Sequence, residues 1–192
     1  MLRSGLLIIS ILGLLPKILC SQNVDANLQL DSLKASKLLI KANELYDSNK
    51  FAESHEQASF AYQYFKKNAS KSSPELADAA YQSGRSVYRI KKFNQAKALL
   101  NEAISIWDKH TSDYQLKSAK AQYWLAYTEA RLGNTLGAIP ILINCITMQN
   151  ANFANYTDLI KSYMLIGDFY TNIKSRRQAT PYLEQAFELT KP

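Results

Sequence analysis

Four landmarks recur along the chain at one nearly constant interval, and that interval restricts the fold more than any other feature. A small residue stands at Ala42, Gly84, Ala126 and Gly167, in steps of 42, 42 and 41. Twelve residues after each come Ser54, Ala96, Ala138 and Ala179. Four further on stand Ala58, Leu100, Leu142 and Leu183, then Ala61, Ala103, Cys145 and Ala186. Pro140 and Pro181 also occupy matching places. Spacings of four and three fall on one face of a 3.6-residue helix. A period of this length with helical spacing inside it implies stacked helical hairpins, because a single hairpin cannot bury its apolar stripe alone. The clearest copy runs from Ala77 to Trp107, two amphipathic helices joined by a polar turn at Lys91, Lys92 and Phe93.

The predicted fold is all-α, about four antiparallel helix pairs in one domain over residues 32–192. The first helix is expected from Asp31 or Ser32, both good N-caps, to Ser48, and its partner from Phe51 to Lys67. The following pairs are expected over Glu75–Ile90 with Phe93–Lys109, Tyr114–Leu132 with Thr135–Gln149, and Thr157–Ile173 with Arg176–Thr190. Pro74 suits a first helical turn, whereas Pro140 and Pro181 lie far enough inside their helices to kink them.

These landmarks resemble the tetratricopeptide repeat, whose pattern is an aromatic, two spaces, Leu-Gly, two spaces, Tyr, then Ala, three spaces, Phe. Tyr163, Ile166, Gly167 and Tyr170 followed by Ala179 and Leu183 form the best copy. The second copy keeps Gly84, Ala96, Leu100 and Ala103 but lacks the first aromatic, and the first copy, around Ala42, Leu45 and Phe51, is the most degenerate. The usual unit is about 34 residues, so these copies resemble the longer-unit members of the family. The resemblance covers residues 32–192 and implies a right-handed α-solenoid whose first helices line a concave protein-binding groove.

The N-terminus reads differently. Arg3 is followed by the apolar run Gly5–Leu15, then Pro16 and Lys17. A basic start with a 7–15-residue apolar core is the secretory signal pattern, and the run falls short of the roughly 20 residues that span a bilayer. Residues 1–20 are therefore expected to be a signal peptide and residues 21–31 a polar, frayed segment, making the protein exported, either periplasmic or secreted. Cys20 raises the alternative of an envelope lipoprotein tethered there as part of an assembly complex, although Lys17, Ile18 and Leu19 match the lipoprotein pattern poorly. Membrane attachment is expected only in that case. Cys145 should be a small buried residue, so cross-links would contribute nothing to stability. Without Arg3 and Lys17 the net charge falls from +7 to +5, and the basic residues are scattered singly, unlike the clustered stripes of nucleic-acid binders.

Chemistry has little to stand on. His55 and His110 are the only histidines, and Ser59 occupies the place where a zincin helix beginning at His55-Glu56 needs its second histidine. Paired cysteines, a Gly-rich phosphate loop and a Gly-x-Ser-x-Gly elbow are all absent from the sequence. A non-enzymatic protein with no cofactor and no metal is expected. Asn68-Ala69-Ser70 and Asn155-Tyr156-Thr157 are glycosylation sequons in or near loops.

The register of the resemblance places Leu39, Asn43, Tyr46 and Asp47 in the groove from the first unit. Tyr81, Arg85, Tyr88 and Arg89 come from the second, and Tyr123, Tyr127, Ala130 and Arg131 from the third. Met164, Asp168, Thr171 and Asn172 come from the fourth. The middle of the groove is thus tyrosine and arginine, types enriched at binding hot spots. Two charged hydrogen bonds at about 1.5–3 kcal/mol each, with aromatic contacts, reach micromolar affinity, about 8 kcal/mol. The pattern differs from the carboxylate clamp of chaperone cochaperones, since only Asn43 fits it. An extended or helical segment of another protein is the expected occupant. Tyr182, Leu183, Phe187 and Leu189 leave the last helix apolar enough for self-association.

Overall fold

The computed structural model describes residues 15–110, 112–152 and 155–191. Among these, eight α-helices and one short 3-10 turn follow one another without a strand. They are α1 (Leu15–Asp47), α2 (Phe51–Asn68), α3 (Pro74–Arg89), α4 (Phe93–Trp107), α5 (Gln115–Arg131), α6 (Thr135–Ala151), α7 (Tyr156–Asn172) and α8 (Arg176–Glu188), with the 3-10 turn at Ser112–Tyr114 before α5. Each helix packs on the next, and first helices of neighbouring units also touch, as α1 does α3 and α3 does α5.

Within the repeats the helix bounds fall within about two residues of those expected. The N-terminal end differs. The polar segment 21–31 is helical, and α1 reaches back to Leu15. No glycine or proline interrupts residues 17–48, and Pro16 sits in the first turn, where its missing N–H costs nothing. Arg3 and most of the expected signal run, through Leu14, lie outside the described residues, as do Thr111, Phe153, Ala154 and Pro192. No described helix is long and apolar enough to cross a membrane. Helices α6 and α8 continue through Pro140 and Pro181.

One turn closes every hairpin. Asn49, Lys91, Gly133 and Lys174 have φ of 61°, 65°, 88° and 62°, and they too recur in steps of 42, 42 and 41. Around each, one N–H reaches back three residues and the next reaches back five, as in Lys91 N to Tyr88 O at 2.9 Å and Lys92 N to Val87 O at 3.1 Å. These are the paired bonds of a Schellman C-cap, which satisfy carbonyls left open at a helix end. Asparagine and lysine hold the left-handed conformation at a cost, and only the third unit uses glycine.

The landmark stripe is the packing seam. Of the landmark residues only Leu183, 41% exposed, is not buried. A Cβ built on Gly84 would stand 3.0 Å from Leu100 Cγ, so the bare backbone lets α3 and α4 close on each other. Two core clusters, one centred on α2–α4 and one on α6–α7, meet at α5, which contributes residues to both, and Ile141 of α6 packs against both. Cys145 is fully buried and donates to Ala119 O at 3.1 Å, while burial pushes its thiol up to about 12. At the junction of the first two units, the buried Ser54 hydroxyl donates to Ala42 O at 2.7 Å. Gln82 Nε2 donates to the same carbonyl at 3.0 Å.

Gly133 isolates the backbone contribution of the turn, because a Cβ there meets nothing within 4 Å. Gly133→Ala is expected to destabilise the protein by about 1 kcal/mol in chemical denaturation, with Gly133→Asn costing less. Equal stability of all three would refute the conformational argument.

Candidate partner-binding groove

The first helices α3, α5 and α7 present residues at helical spacing to one side. In α5 the stripe is Lys117, Lys120, Trp124, Tyr127 and Arg131. In α3 it is Asp78, Tyr81, Arg85 and Tyr88, with Arg89 beside it. One polar rung ties each neighbouring pair of first helices. Arg85 Nη2 donates to Asn43 Oδ1 at 2.6 Å, Lys117 Nζ to Asp78 Oδ1 at 2.7 Å, and Lys120 Nζ lies 3.7 Å from Asp158 Oδ2.

Between the rungs lie three hollows. The central one, about 420 Å³, is walled by Tyr46, Tyr81, Arg85, Arg89, Tyr123 and Trp124, with Lys120, Gln149, Asp158 and Lys161 completing it. A second, about 410 Å³, shares Tyr81, Arg85 and Lys120 with it and adds Asn43, Leu39 and Trp107. The third, about 250 Å³, holds Tyr127, Ala130, Arg131, Asp168 and Asn172.

Rings support one another along this face. Trp124 lies 5.3 Å from Tyr88, 5.7 Å from Tyr123 and 6.2 Å from Tyr127 between ring centroids. Arg85 is held over the Tyr46 ring at 4.0 Å and donates to Gln82 Oε1 at 2.6 Å, while Arg89 lies 3.9 Å above Phe51. A guanidinium on a ring face is fixed in place yet keeps edge donors for a ligand. No carboxylate among the described residues pairs with Arg85, Arg89, Arg131 or Lys161.

The structure brings eight of the nine principal groove residues to these hollows: Asn43, Tyr46, Tyr81, Arg85, Arg89, Tyr123, Tyr127 and Arg131. Tyr88 lines none of them. Its ring packs on Phe93 at 5.5 Å and Tyr127 at 5.8 Å, and it stands behind the groove as support. Asp47, Met164 and Thr171 also line none, whereas Leu165 does, because the fourth stripe runs through Asp158, Lys161, Leu165, Asp168 and Asn172. Sequence reasoning missed Trp124, Lys120, Lys161, Trp107 and Gln149. Carrying each stripe one turn towards its helix N-terminus would have found the lysines, and Trp124 lies between two residues already on the stripe. Trp107 and Gln149 come from the second helices and gave no such signal. His55 accepts or donates a 3.0 Å contact with Ser83 Oγ, and His110 reaches Ser72 O at 2.7 Å and packs on the Tyr114 ring at 5.2 Å. No group of three or more His, Cys, Asp or Glu among the described residues could hold a metal.

Residues 160–191 match the sequence profile of the tetratricopeptide repeat family, and they contain the best-formed copy of the landmark pattern. The chain has a tetratricopeptide-like helical repeat fold. Solved structures agree at the level of fold. The nearly identical TPR-like repeats of a kinesin light chain protein from Podosopora anserina align with a TM-score of 0.68 at 17% identity, over 80% of this chain and 73% of that one. BtubC (BKLC) from P. vanneervenii aligns at 0.72 and 13% identity, over 81% of this chain and 62% of that one. MamA aligns at 0.62 and 22% identity, over 86% of this chain and 83% of that one. No curated protein matches in sequence. Tetratricopeptide-like folds are in general non-enzymatic scaffolds for protein–protein interaction, and this repeat protein has their architecture.

Burial pushes the hydroxyls of Tyr46, Tyr81, Tyr123 and Tyr127 above the ordinary phenol range. With folded values above the unfolded value of about 10, their contribution to stability is complete below pH about 10 and is lost as pH rises further. An ultraviolet titration should show part of the phenolate signal appearing only as helical circular dichroism disappears. Complete ionisation near pH 10 with helicity intact would contradict the burial of these rings.

Proposed function

We infer that this protein is an exported, non-enzymatic adaptor that holds a carboxylate-bearing segment of another protein in its concave groove. The observation that carries this reading is the set of cations without a carboxylate partner, Arg85, Arg89, Lys161 and Arg131, placed among tyrosine and tryptophan rings in two of the hollows. Arg85 contributes most, since Tyr46, Gln82 and Asn43 fix its plane before a ligand arrives. Such preorganisation removes part of the ordering cost of binding. Export is supported by the basic start and apolar run of the sequence.

Tyr88 and Tyr127 pack against neighbouring rings, so their truncation would mix lost packing with lost binding. The clean variant is Arg85→Ala with Arg89→Ala and Arg131→Ala. Protein recovered from the exported fraction, its N-terminus read by mass spectrometry, serves as bait beside this triple variant. The wild type is expected to retain a partner that the variant loses at unchanged helicity. Equal retention by both would refute the groove assignment.

A second contact surface is favoured by Phe187, which is 63% exposed where its register mates Tyr62 and Ile146 are buried by the following unit. With Leu183 it forms an apolar patch on α8 suited to self-association. Sedimentation is expected to show concentration-dependent assembly that Phe187→Glu abolishes. A monomer at high concentration would remove this surface from the account.

A further inference from the structure

The two open ends of the stack are unlike. In α3, Ser83 and Ser86 are buried against α2, where they bond to His55 and Ser54. Their register mates, Leu125 and Thr128 in α5 and Ile166 and Phe169 in α7, are buried as well. In α1, which no described unit precedes, the same two positions are Lys41 and Glu44, both exposed. Leu33 and Ile40 are exposed there too, but they stand among Lys34, Lys37 and Lys41. At the other end the pattern reverses. Leu183 is 41% exposed where its mates Ala58, Leu100 and Leu142 are fully buried, and Phe187 is the exposed mate of Tyr62 and Ile146. The leading end is finished for water and the trailing end is not.

Helix α8 also carries its charges against its own dipole. Arg176 and Arg177 open it and Glu184 and Glu188 lie in its second half, with no acid in the first turn and no base in the last. A helix N-terminus bears partial positive charge and a C-terminus partial negative charge, so both sets sit at the disfavoured end. No ion pair among the described residues uses Arg176, Arg177 or Glu184. Glu188 meets Lys191 at 2.6 Å on the surface, and Lys191 also lies 5.2 Å over the Phe187 ring. A neighbouring helix laid antiparallel on α8 removes both mismatches, because its acidic half faces the arginines and its basic start faces the glutamates. By helical spacing Arg176, Thr180, Leu183 and Phe187 form one stripe, with Arg177 and Glu184 together on its flank. A two-fold axis across the stripe therefore brings Arg177 of each copy to Glu184 of the other, whereas a parallel pairing sets arginine on arginine.

We propose that α8 is the contact of a closed, two-fold symmetric dimer, with α8 of a second copy antiparallel on it, Leu183 and Phe187 packed at the centre and Arg177–Glu184 pairs on the flanks. This rests on the C-terminal contact surface read above and adds its partner, orientation and closure. Stacking α8 on α1 of another copy would bury Lys41 and Glu44 and would propagate as a filament, while an isologous contact uses one patch on both copies and stops at two. A helix of 13 residues is about 20 Å long, so the contact is small and the dimer dissociates on dilution. No residue of α8 lines any of the three hollows, so pairing through it joins two grooves in one bivalent particle.

The test is sedimentation velocity of the full chain over a concentration series, for wild type, Phe187→Glu, Arg177→Glu and Glu184→Arg, with helicity checked by circular dichroism. All three positions are exposed, so folding is expected to survive each change. Wild type should show a monomer–dimer equilibrium and no larger species. Arg177→Glu makes both flank positions acidic and Glu184→Arg makes both basic, so each alone should weaken the dimer on the order of tenfold. An equimolar mixture of these two should recover the dimer, since each repelling set then meets its complement. A dimer lost in Phe187→Glu but indifferent to both charge variants, with no gain on mixing, would overturn the antiparallel arrangement alone. So would species that grow beyond two copies. A wild type that stays monomeric, its patch left to a protein of another sequence, would overturn the self-association surface as well, as would a dimer untouched by Phe187→Glu.

Discussion

The contact on which the rest of the molecule depends is the approach of a small residue in each first helix to the stripe of its second. Gly84 shows it against Leu100, whose Cγ would stand 3.0 Å from a Cβ built on the glycine. Ala42 and Ala126 occupy the same place and are fully buried. Where two helices close this far, dispersion and apolar burial act along their whole length, and a buried leucine contributes about 1.5–3 kcal/mol. The left-handed turn at Asn49, Lys91, Gly133 and Lys174 returns the chain at the angle that this contact needs. Because the turn and the seam share one period, the units stack in register.

Register is also what makes the groove. With every first helix presented at the same rotation, side chains three and four residues apart converge on one side, and neighbouring units add to the same trough. The three rungs, Asn43–Arg85, Asp78–Lys117 and Lys120–Asp158, are surface contacts that contribute little stability. Their effect is positional. Arg85 is pinned by Asn43, Gln82 and Tyr46, and Lys117 and Lys120 are occupied by carboxylates, so the groove cations that keep their charge unpaired are Arg85, Arg89, Lys161 and Arg131.

Much of this was legible in the sequence because helical periodicity and repeat spacing are both one-dimensional signals. The small landmarks, the turn at Lys91 and the hollow-lining tyrosines and arginines are all fixed by counting. Three features were not. Whether Tyr88 faces the groove or its neighbours depends on how far α3 and α5 rotate against each other, and Trp124 fills the space that would have exposed it. Trp107 and Gln149 lie on the buried stripe of second helices, where residue type alone marks Trp107 as core and Gln149 as anomalous. The helical course of residues 21–31 shows that a polar composition does not end a helix that lacks a breaker.

The chain has two tryptophans, Trp107 and Trp124, and both line the trough. Their indole N–H signals in a ¹⁵N–¹H correlation spectrum therefore report directly on occupancy of the groove. Addition of a captured partner segment to the labelled protein is predicted to shift both indole signals while the amide signals of α8 stay in place. Unmoved indole signals together with shifted α8 amides would place the interface on the last helix and contradict the central claim that the concave face holds the partner.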